Sequence, residues 1–441
     1  MVLDLLSGLL AFLFGGSTLT TKVQPANWSG AINEAIVESL ATAEPLVTAE
    51  PDPAATAFMQ QHINALAGQG FPQDGQGIWI RAGDQVLADH LGTVPLPAAS
   101  LTKIPTTLVA LATWGPKHQF ATIASVKGTL QAGVLQGDLI IQGEGDPFFV
   151  WEEAIALGNA LNQAGIRQVT GDLVIAGRFA MNFETEPVAA GTLLKQGFDE
   201  ALWSDEVETQ YQQLPVGTNR PQVNITGTVR LATPEDVQAA VPLVRHQSMP
   251  LANILKGMNV YSNNVIADDL AIALGGAATM AKTAAELANV PAEEIQLVNG
   301  SGLGEDNRIS PRAVTAMLIA IQKYLQPRQM TIADVFPVLG TDGGTMKGRR
   351  IPQGAVLKTG TLNAVSSLAG VVPTRDRGLI WFTVINLGSG DLQIPHDQQD
   401  LLLQNLQQTW GLPTPLPPSI LPSENWRKTY QLGAAERNQL L

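Results

Sequence analysis

Cysteine is absent from all 441 residues. That excludes disulfides, thiolate metal ligands and a cysteine nucleophile. It suits an oxidising compartment without defining one. Histidine is scarce, limited to His62, His90, His118, His246 and His396. None stands in HExxH or HxxEH spacing, so zinc-peptidase chemistry has no support. Positive charge is also short: 26 Lys and Arg against 39 Asp and Glu give a net charge of −13. Such a chain repels phosphate backbones, and nucleic-acid binding is set aside. A long apolar run is missing too. Leu9-Leu10-Ala11-Phe12-Leu13-Phe14 has the size of a signal-peptide core, and no stretch approaches the roughly 20 apolar residues that span a bilayer.

What remains is the composition of a folded protein, 45% hydrophobic and 15% charged. The length predicts two or three domains. Near the N-terminus the only early charge is Asp4 and the first cation is Lys22. A secretory signal carries its cations ahead of the apolar run. Three readings stay open there: a signal with a misassigned start, a membrane-surface anchor giving peripheral contact, or a packed apolar helix.

Residues 1–56 read as this apolar segment and a linker. Residues 77–88 read as a hairpin around Gly83-Asp84, and residues 101–113 carry a helical stripe. Residues 121–250 change texture. Short strands at 122–127, 138–142, 172–176 and 222–231, one helix at 152–164 and long polar loops such as 184–192 suggest an inserted β-rich module. Helical spacing returns at 251–258 and 265–274. Three strand-like runs follow at 355–361, 366–372 and 379–387, then a closing helix at 397–410. Residues 413–441 read as a proline-rich linker and a polar tail.

Three motifs carry chemistry. In Ser100-Leu101-Thr102-Lys103 the first and last residues share a helix face, so the amine reaches the hydroxyl. A serine is a weak nucleophile and needs such a base. A lysine serves only when burial or a nearby cation lowers its pKa. Alone, the motif also reads as an N-cap and a solvated lysine, and chance supplies about 0.4 copies in this composition. Ser262-Asn263-Asn264 offers a hydroxyl to relay a proton and a carboxamide to hold an amide. Alone, it equally describes a helix cap. Lys358-Thr359-Gly360, continued by Thr361, lines a strand with a cation, hydroxyls and a residue without a side chain, which makes a carboxylate-binding edge. In this order the three are expected by chance about 0.02 times.

The set resembles the D-alanyl-D-alanine carboxypeptidase/endopeptidase family of low-molecular-mass, class C penicillin-binding proteins. Further stretches carry the resemblance: Pro97-Ala98-Ala99 before Ser100, Gly143-Glu144-Gly145-Asp146-Pro147, Asn299-Gly300-Ser301-Gly302-Leu303, Ile309-Ser310-Pro311 and Ser366-Ser367-Leu368-Ala369-Gly370. Together they cover most of residues 75–390. Three departures stand out. Asn263 replaces the usual Asp, Pro105 lies early in the nucleophile helix, and the 162 residues from Ser100 to Ser262 are few for the family.

The resemblance implies an α+β fold of the β-lactamase/transpeptidase-like kind. An antiparallel sheet with flanking helices and a helical subdomain is built from 57–120 and 251–412, and 121–250 is the inserted module. It implies Ser100 as nucleophile, Lys103 as general base with its pKa depressed by Lys358, and Ser262 as proton relay. Asn264 would hold the acyl-side amide, and Lys358 and Thr359 the terminal carboxylate. Gly360 lets substrate approach, and the N–H groups of Ser100 and Thr361 form the oxyanion hole. No metal or cofactor is implied. The expected ligands are peptidoglycan stem peptides and inhibitory β-lactams, and the expected location is the periplasm or cell envelope. Two alternatives remain: a non-catalytic peptidoglycan- or penicillin-binding relative, and a serine β-lactamase or esterase. A Ser-His-Asp hydrolase is rejected, because Asn299 stands where G-x-S-x-G needs its first glycine.

Overall fold

The computed structural model describes residues 50–423 and 431–441. The N-terminal apolar run lies outside the described residues.

Asp52 opens the first helix, α1 (Pro53–Ala67), by accepting the N–H groups of Ala54 and Ala55. Pro53 stands at the first helical position, where a missing N–H costs nothing. The hairpin at Gly83-Asp84 joins β1 (Gln76–Ala82) and β2 (Gln85–His90), with Gly83 at φ 52. A 3₁₀ turn, Ala99–Thr102, leads into α2 (Lys103–Trp114). Pro105 falls in the first turn of α2, where the N–H it lacks would have had no partner within α2. The departure from the family pattern thus leaves the helix intact. Every residue from Lys103 to Ala112 is buried, so α2 is a central helix.

The chain next builds the segment read as an inserted module. A long hairpin of β3 (Ala121–Gln131) and β4 (Val134–Glu144) turns at Ala132 and Gly133, both at positive φ. Then come α3 (Trp151–Gln163), β5 (Leu173–Arg178), α4 (Pro187–Phe198) and β6 (Val241–Gln247). The sheet here is mixed, because β5 runs parallel to β4 while β3 and β6 run antiparallel. Its own core gathers Leu139, Ile141, Phe149, Leu157, Ile175 and Phe198.

Helix α4 corrects the expectation of a loop at 184–192. Glu186 accepts the N–H groups of Val188 and Ala189, and Pro187 takes the first helical position. Its buried stripe, Ala190, Leu194 and Phe198, extends beyond the polar window that suggested a loop.

Helices α5 (Leu251–Tyr261), α6 (Asn264–Ala273), α7 (Ala277–Ala288) and α8 (Pro311–Leu325) pack with α2 around one core. Strands β7 (Val356–Leu362), β8 (Val365–Thr374) and β9 (Gly378–Leu387) complete an antiparallel sheet in the order β7-β8-β9-β1-β2. The closing helix is α9 (Gln393–Trp410). Strand β8 is buried along its whole length because both faces are covered. Leu368 and Val372 join the core under α1 and α9, whereas Ala369 and Val371 join the α2 core. This is the period of two of a strand between two layers.

Residues 413–423 and 431–441 pack against the rest of the chain, where a polar tail was expected. Ile420 is buried in the α2 core, and Ser423 donates its N–H and hydroxyl to Asp334. Strand β10 (Asn438–Leu440) pairs with β6, and buried Arg437 meets Glu153 at 2.6 Å. Three strand residues and one arginine are too short a signal to show in composition.

Candidate active site

The segment that carries Ser100 is held in a bent shape. Ala99 sits at φ 49, a conformation unfavourable for a residue with a side chain. Two contacts hold the bend. Ser367 on β8 donates its hydroxyl to the Ala98 carbonyl at 2.9 Å. Gly302 lies so close below that a Cβ there would sit 1.9 Å from the Ala99 oxygen. Ser100 is thereby presented on the 3₁₀ turn, half-buried at the head of α2.

Lys103 follows one turn later. Its amine donates to Ser100 Oγ at 3.2 Å, Asn264 Oδ1 at 2.7 Å and the Ser301 carbonyl at 2.7 Å. Lys358 projects from β7 and donates to Ser262 Oγ at 2.9 Å and to the Thr359 carbonyl at 2.7 Å. Both lysines are fully buried. Ser262 closes α5 in a left-handed conformation, φ 54, and Asn263 caps α6 by accepting the Ile266 N–H. Asparagine caps as well as aspartate does, so the departure at this position preserves the junction. The tight α5–α6 turn is what brings Ser262 and Asn264 to the two lysines.

Gly360 is where β7 passes Ser100. A Cβ there would lie 2.3 Å from Ser367 Oγ and 2.9 Å from the Ser100 nitrogen. Only glycine lets the strand and Ser100 come this close. Ser100, Ser262, Thr359 and Thr361 line one cleft of about 380 Å³. All eight residues singled out in the sequence, Ser100, Lys103, Ser262, Asn264, Lys358, Thr359, Gly360 and Thr361, therefore come together here.

The cause of the lowered lysine pKa differs from the expected one. Burial brings Lys103 down to about 7, and Asp268 pulls in the opposite direction. Lys358 is held well below its ordinary value, first by burial and second by repulsion from Lys103. Repulsion between two cations is mutual, but desolvation is the larger effect at this site. Asn264 also departs in part from its expected use, since its carbonyl oxygen already accepts from Lys103. Its amide N–H groups are what remain for a substrate carbonyl.

Several supporting residues had no role assigned from sequence. The Asn299–Leu303 stretch acts through a backbone carbonyl, Ser301 O, and Asp268 accepts the Gly300 N–H at 3.0 Å. Backbone acceptors leave no side-chain signature. Thr345 contacts Thr359 hydroxyl to hydroxyl at 2.7 Å. It sits on a loop tied to α5 by Lys256 and Asp342, 2.6 Å apart. The Gly-rich run 340–344 was the available signal, and it reads as a turn. Among the described residues no group of three or more His, Asp or Glu is placed to hold a metal ion.

The chain is similar to several known proteins. The pattern of the D-Ala-D-Ala carboxypeptidase 3 (S13) family matches residues 59–182 and 217–407. D-alanyl-D-alanine carboxypeptidase DacB of Haemophilus influenzae is 25% identical over 409 residues, covering 70% of this chain and 85% of its own. A D-alanyl-D-alanine carboxypeptidase of Actinomadura is 26% identical, covering 76% and 80%. Among solved structures, a penicillin G-acylated predatory endopeptidase of Bdellovibrio bacteriovorus, in complex with an immunity protein, superposes with a TM-score of 0.64. It is 25% identical and covers 76% of this chain and 93% of its own. Penicillin-binding protein 4 of H. influenzae, complexed with a β-lactam, gives a TM-score of 0.58 at 20% identity, covering 78% and 99%.

Proposed function

The chain belongs to the D-Ala-D-Ala carboxypeptidase 3 (S13) family, and from that premise we propose how its residues carry out serine carboxypeptidase and endopeptidase chemistry on peptidoglycan stem peptides. The observation that carries the proposal is a buried, deprotonatable amine in contact with a serine hydroxyl, Lys103 Nζ to Ser100 Oγ at 3.2 Å.

Ser100 Oγ attacks the carbonyl carbon of the bond before the terminal residue, and neutral Lys103 takes its proton. Negative charge develops on the carbonyl oxygen, toward the N–H groups of Ser100 and Thr361. The closeness of Gly360 to the Ser100 nitrogen supports that pairing. The C–N bond then breaks as the leaving amine takes a proton from Ser262, which recovers one from the lysine pair. Asn264 holds the acyl-side amide, and Lys358 and Thr359 hold the terminal carboxylate. Water attacks the ester, releasing the shortened peptide and restoring Ser100.

β-Lactams present the same carbonyl and carboxylate to the same groups and acylate Ser100. The substrate lies outside the cytoplasmic membrane, which supports a periplasmic or cell-envelope location. Membrane contact through the N-terminus rests on residues outside those described. Among the described residues no helix is long and apolar enough to cross a membrane. The binding-only alternative lost its one supporting feature when Pro105 fell in the first turn of an unbroken helix.

Intact-mass spectrometry after incubation with benzylpenicillin tests the assignment. Wild type gains one penicillin mass and Ser100→Ala gains none. Equal adducts on both proteins, or none on either with the drug unconsumed, overturns the assignment. Rapid loss of drug without a lasting adduct redirects the reading to a β-lactamase.

A further inference from the structure

The two N–H groups assigned to the oxyanion hole come from different elements, Ser100 from the 3₁₀ turn and Thr361 from β7. Donors stabilise a developing oxyanion only when both are held about 3 Å from it. The turn must therefore be fixed against the strand.

Each N–H belongs to a planar trans peptide unit, in which N–H and C=O point in opposite directions. Whatever holds the carbonyl therefore aims the N–H. For Ser100 the carbonyl is that of Ala99, which packs against Gly302. For Thr361 it is that of Gly360, and the Ser367 hydroxyl lies 3.3 Å from it. The same hydroxyl donates to the Ala98 carbonyl at 2.9 Å. Ser367 thus reaches both halves of the hole at once. The register of β7 on β8 sets it opposite Gly360. A Cβ on Gly360 would stand 2.3 Å from Ser367 Oγ, 2.9 Å from the Ser100 nitrogen and 3.0 Å from the Ala98 oxygen, so the three groups converge on one point.

Satisfying a buried carbonyl does not account for this serine. The Ala98 oxygen already accepts the Leu101 N–H at 3.2 Å, so it keeps a partner without Ser367. The side chain is 1% exposed, on the face of β8 that sends Ala369 and Val371 into the α2 core. Filling that space alone would need no hydroxyl, and burying one has a cost unless it is hydrogen-bonded.

We propose that Ser367 is a positioning residue of the oxyanion hole. Its hydroxyl clamps the Ala98 and Gly360 carbonyls together and so sets the spacing and aim of the Ser100 and Thr361 N–H groups. It acts through those backbone groups and not on the reacting atoms. This inference rests on the peptidase reading above and deepens it, naming the side chain that holds the hole in shape before substrate arrives.

The test compares wild type with Ser367→Ala and Ser367→Cys, the second of which fills the same site but donates weakly. Two quantities are measured: kcat and KM on a stem pentapeptide ending in D-Ala-D-Ala, and the ester carbonyl stretch of the benzylpenicillin acyl-enzyme by isotope-edited infrared difference spectroscopy. Ser367→Ala lowers kcat about tenfold and leaves KM within about twofold. Its carbonyl stretch moves to higher wavenumber, because the oxygen is less strongly hydrogen-bonded. Ser367→Cys falls between the other two in both measurements, and it carries the test if the alanine variant does not fold. A lower unfolding midpoint with kcat and the carbonyl stretch unchanged makes Ser367 a packing residue and overturns the proposal, as does a loss confined to KM. Wild type that cleaves no peptide and gains no penicillin adduct overturns the peptidase reading itself, a result distinct from failure of the Ser367 assignment alone.

Discussion

The sharpest consequence of the buried lysine is a pH profile. A lysine titrating at its ordinary value of 10.5 is neutral at pH 7 in about one molecule in 3000, whereas one brought down to about 7 is neutral in about half. Burial of Lys103 is therefore worth about a thousandfold in the reactive form of the base. Acylation needs that form, so its rate rises with pH through a midpoint near 7 and falls as the medium is acidified below it. Asp268 sets the exact place of the midpoint, because its carboxylate favours the charged lysine. Asp268→Asn keeps an oxygen for the Gly300 N–H, which Asp268 accepts at 3.0 Å, and removes the charge. The midpoint then moves to lower pH, by about one pH unit or less. The assay is the second-order rate of benzylpenicillin acylation from pH 5 to 10, read by quenching and intact mass on both proteins. A wild-type midpoint near 10 refutes a base tuned by burial. A midpoint that moves upward in Asp268→Asn refutes the sign of the electrostatic argument.

Two further outcomes concern stability. His62 on α1 is buried, donates from Nδ1 to the Gln398 carbonyl at 3.2 Å, accepts at Nε2 from Asn386 Nδ2 at 3.0 Å, and is brought down to about 4 by desolvation. Between about pH 6.5 and 4 the unfolded chain binds a proton that the folded chain refuses, so stability falls with pH across that window, by about 3 kcal/mol in full; His62→Gln flattens this part of a denaturant-midpoint series, and an unchanged slope refutes the assignment. Arg437→Met leaves Glu153, 1% exposed, without the ion pair it makes at 2.6 Å, and costs about 3 kcal/mol or more; a loss below about 0.5 kcal/mol in urea unfolding shows that the C-terminal segment is not part of the folded unit.

Legibility in the sequence followed the kind of signal each feature leaves. The side chains proposed to carry the chemistry were readable because Ser-x-x-Lys, Ser-x-Asn and Lys-Thr-Gly each put reactive groups a few residues apart, on one turn of helix or one edge of a strand. The hairpin at 77–88 and the three late strands were readable from alternation and turn residues. Features made by tertiary contact were not. Ser301 acts through its backbone, which every residue has, and Thr345 meets Thr359 only because β7 folds against the 340–349 loop. Strand β10 is three residues long and exists because β6 offers it an edge. Helix α4 hid behind the acidic start that caps it. The cause of the Lys103 shift was misjudged for a related reason. Sequence shows which charges exist, but burial, the larger effect, depends on the whole fold.

Two fully buried lysines are a burden on stability, and the site shows how that burden serves the proposed chemistry. Each amine is met by carbonyl, amide or hydroxyl oxygens, three at Lys103 and two at Lys358, with no carboxylate among them. Neutral acceptors hold the amines in place without fixing their charge, which a carboxylate in contact would do. Burial disfavours both charges, and mutual repulsion disfavours having both at once. A terminal carboxylate arriving at Lys358 and Thr359 changes this balance: it stabilises charge on Lys358, and charge on Lys358 opposes charge on Lys103. On the proposed mechanism the substrate thereby helps to deprotonate the base that will activate Ser100. A peptide without a terminal carboxylate in that place would lose the binding contact and this electrostatic assistance together, so one interaction serves both affinity and rate.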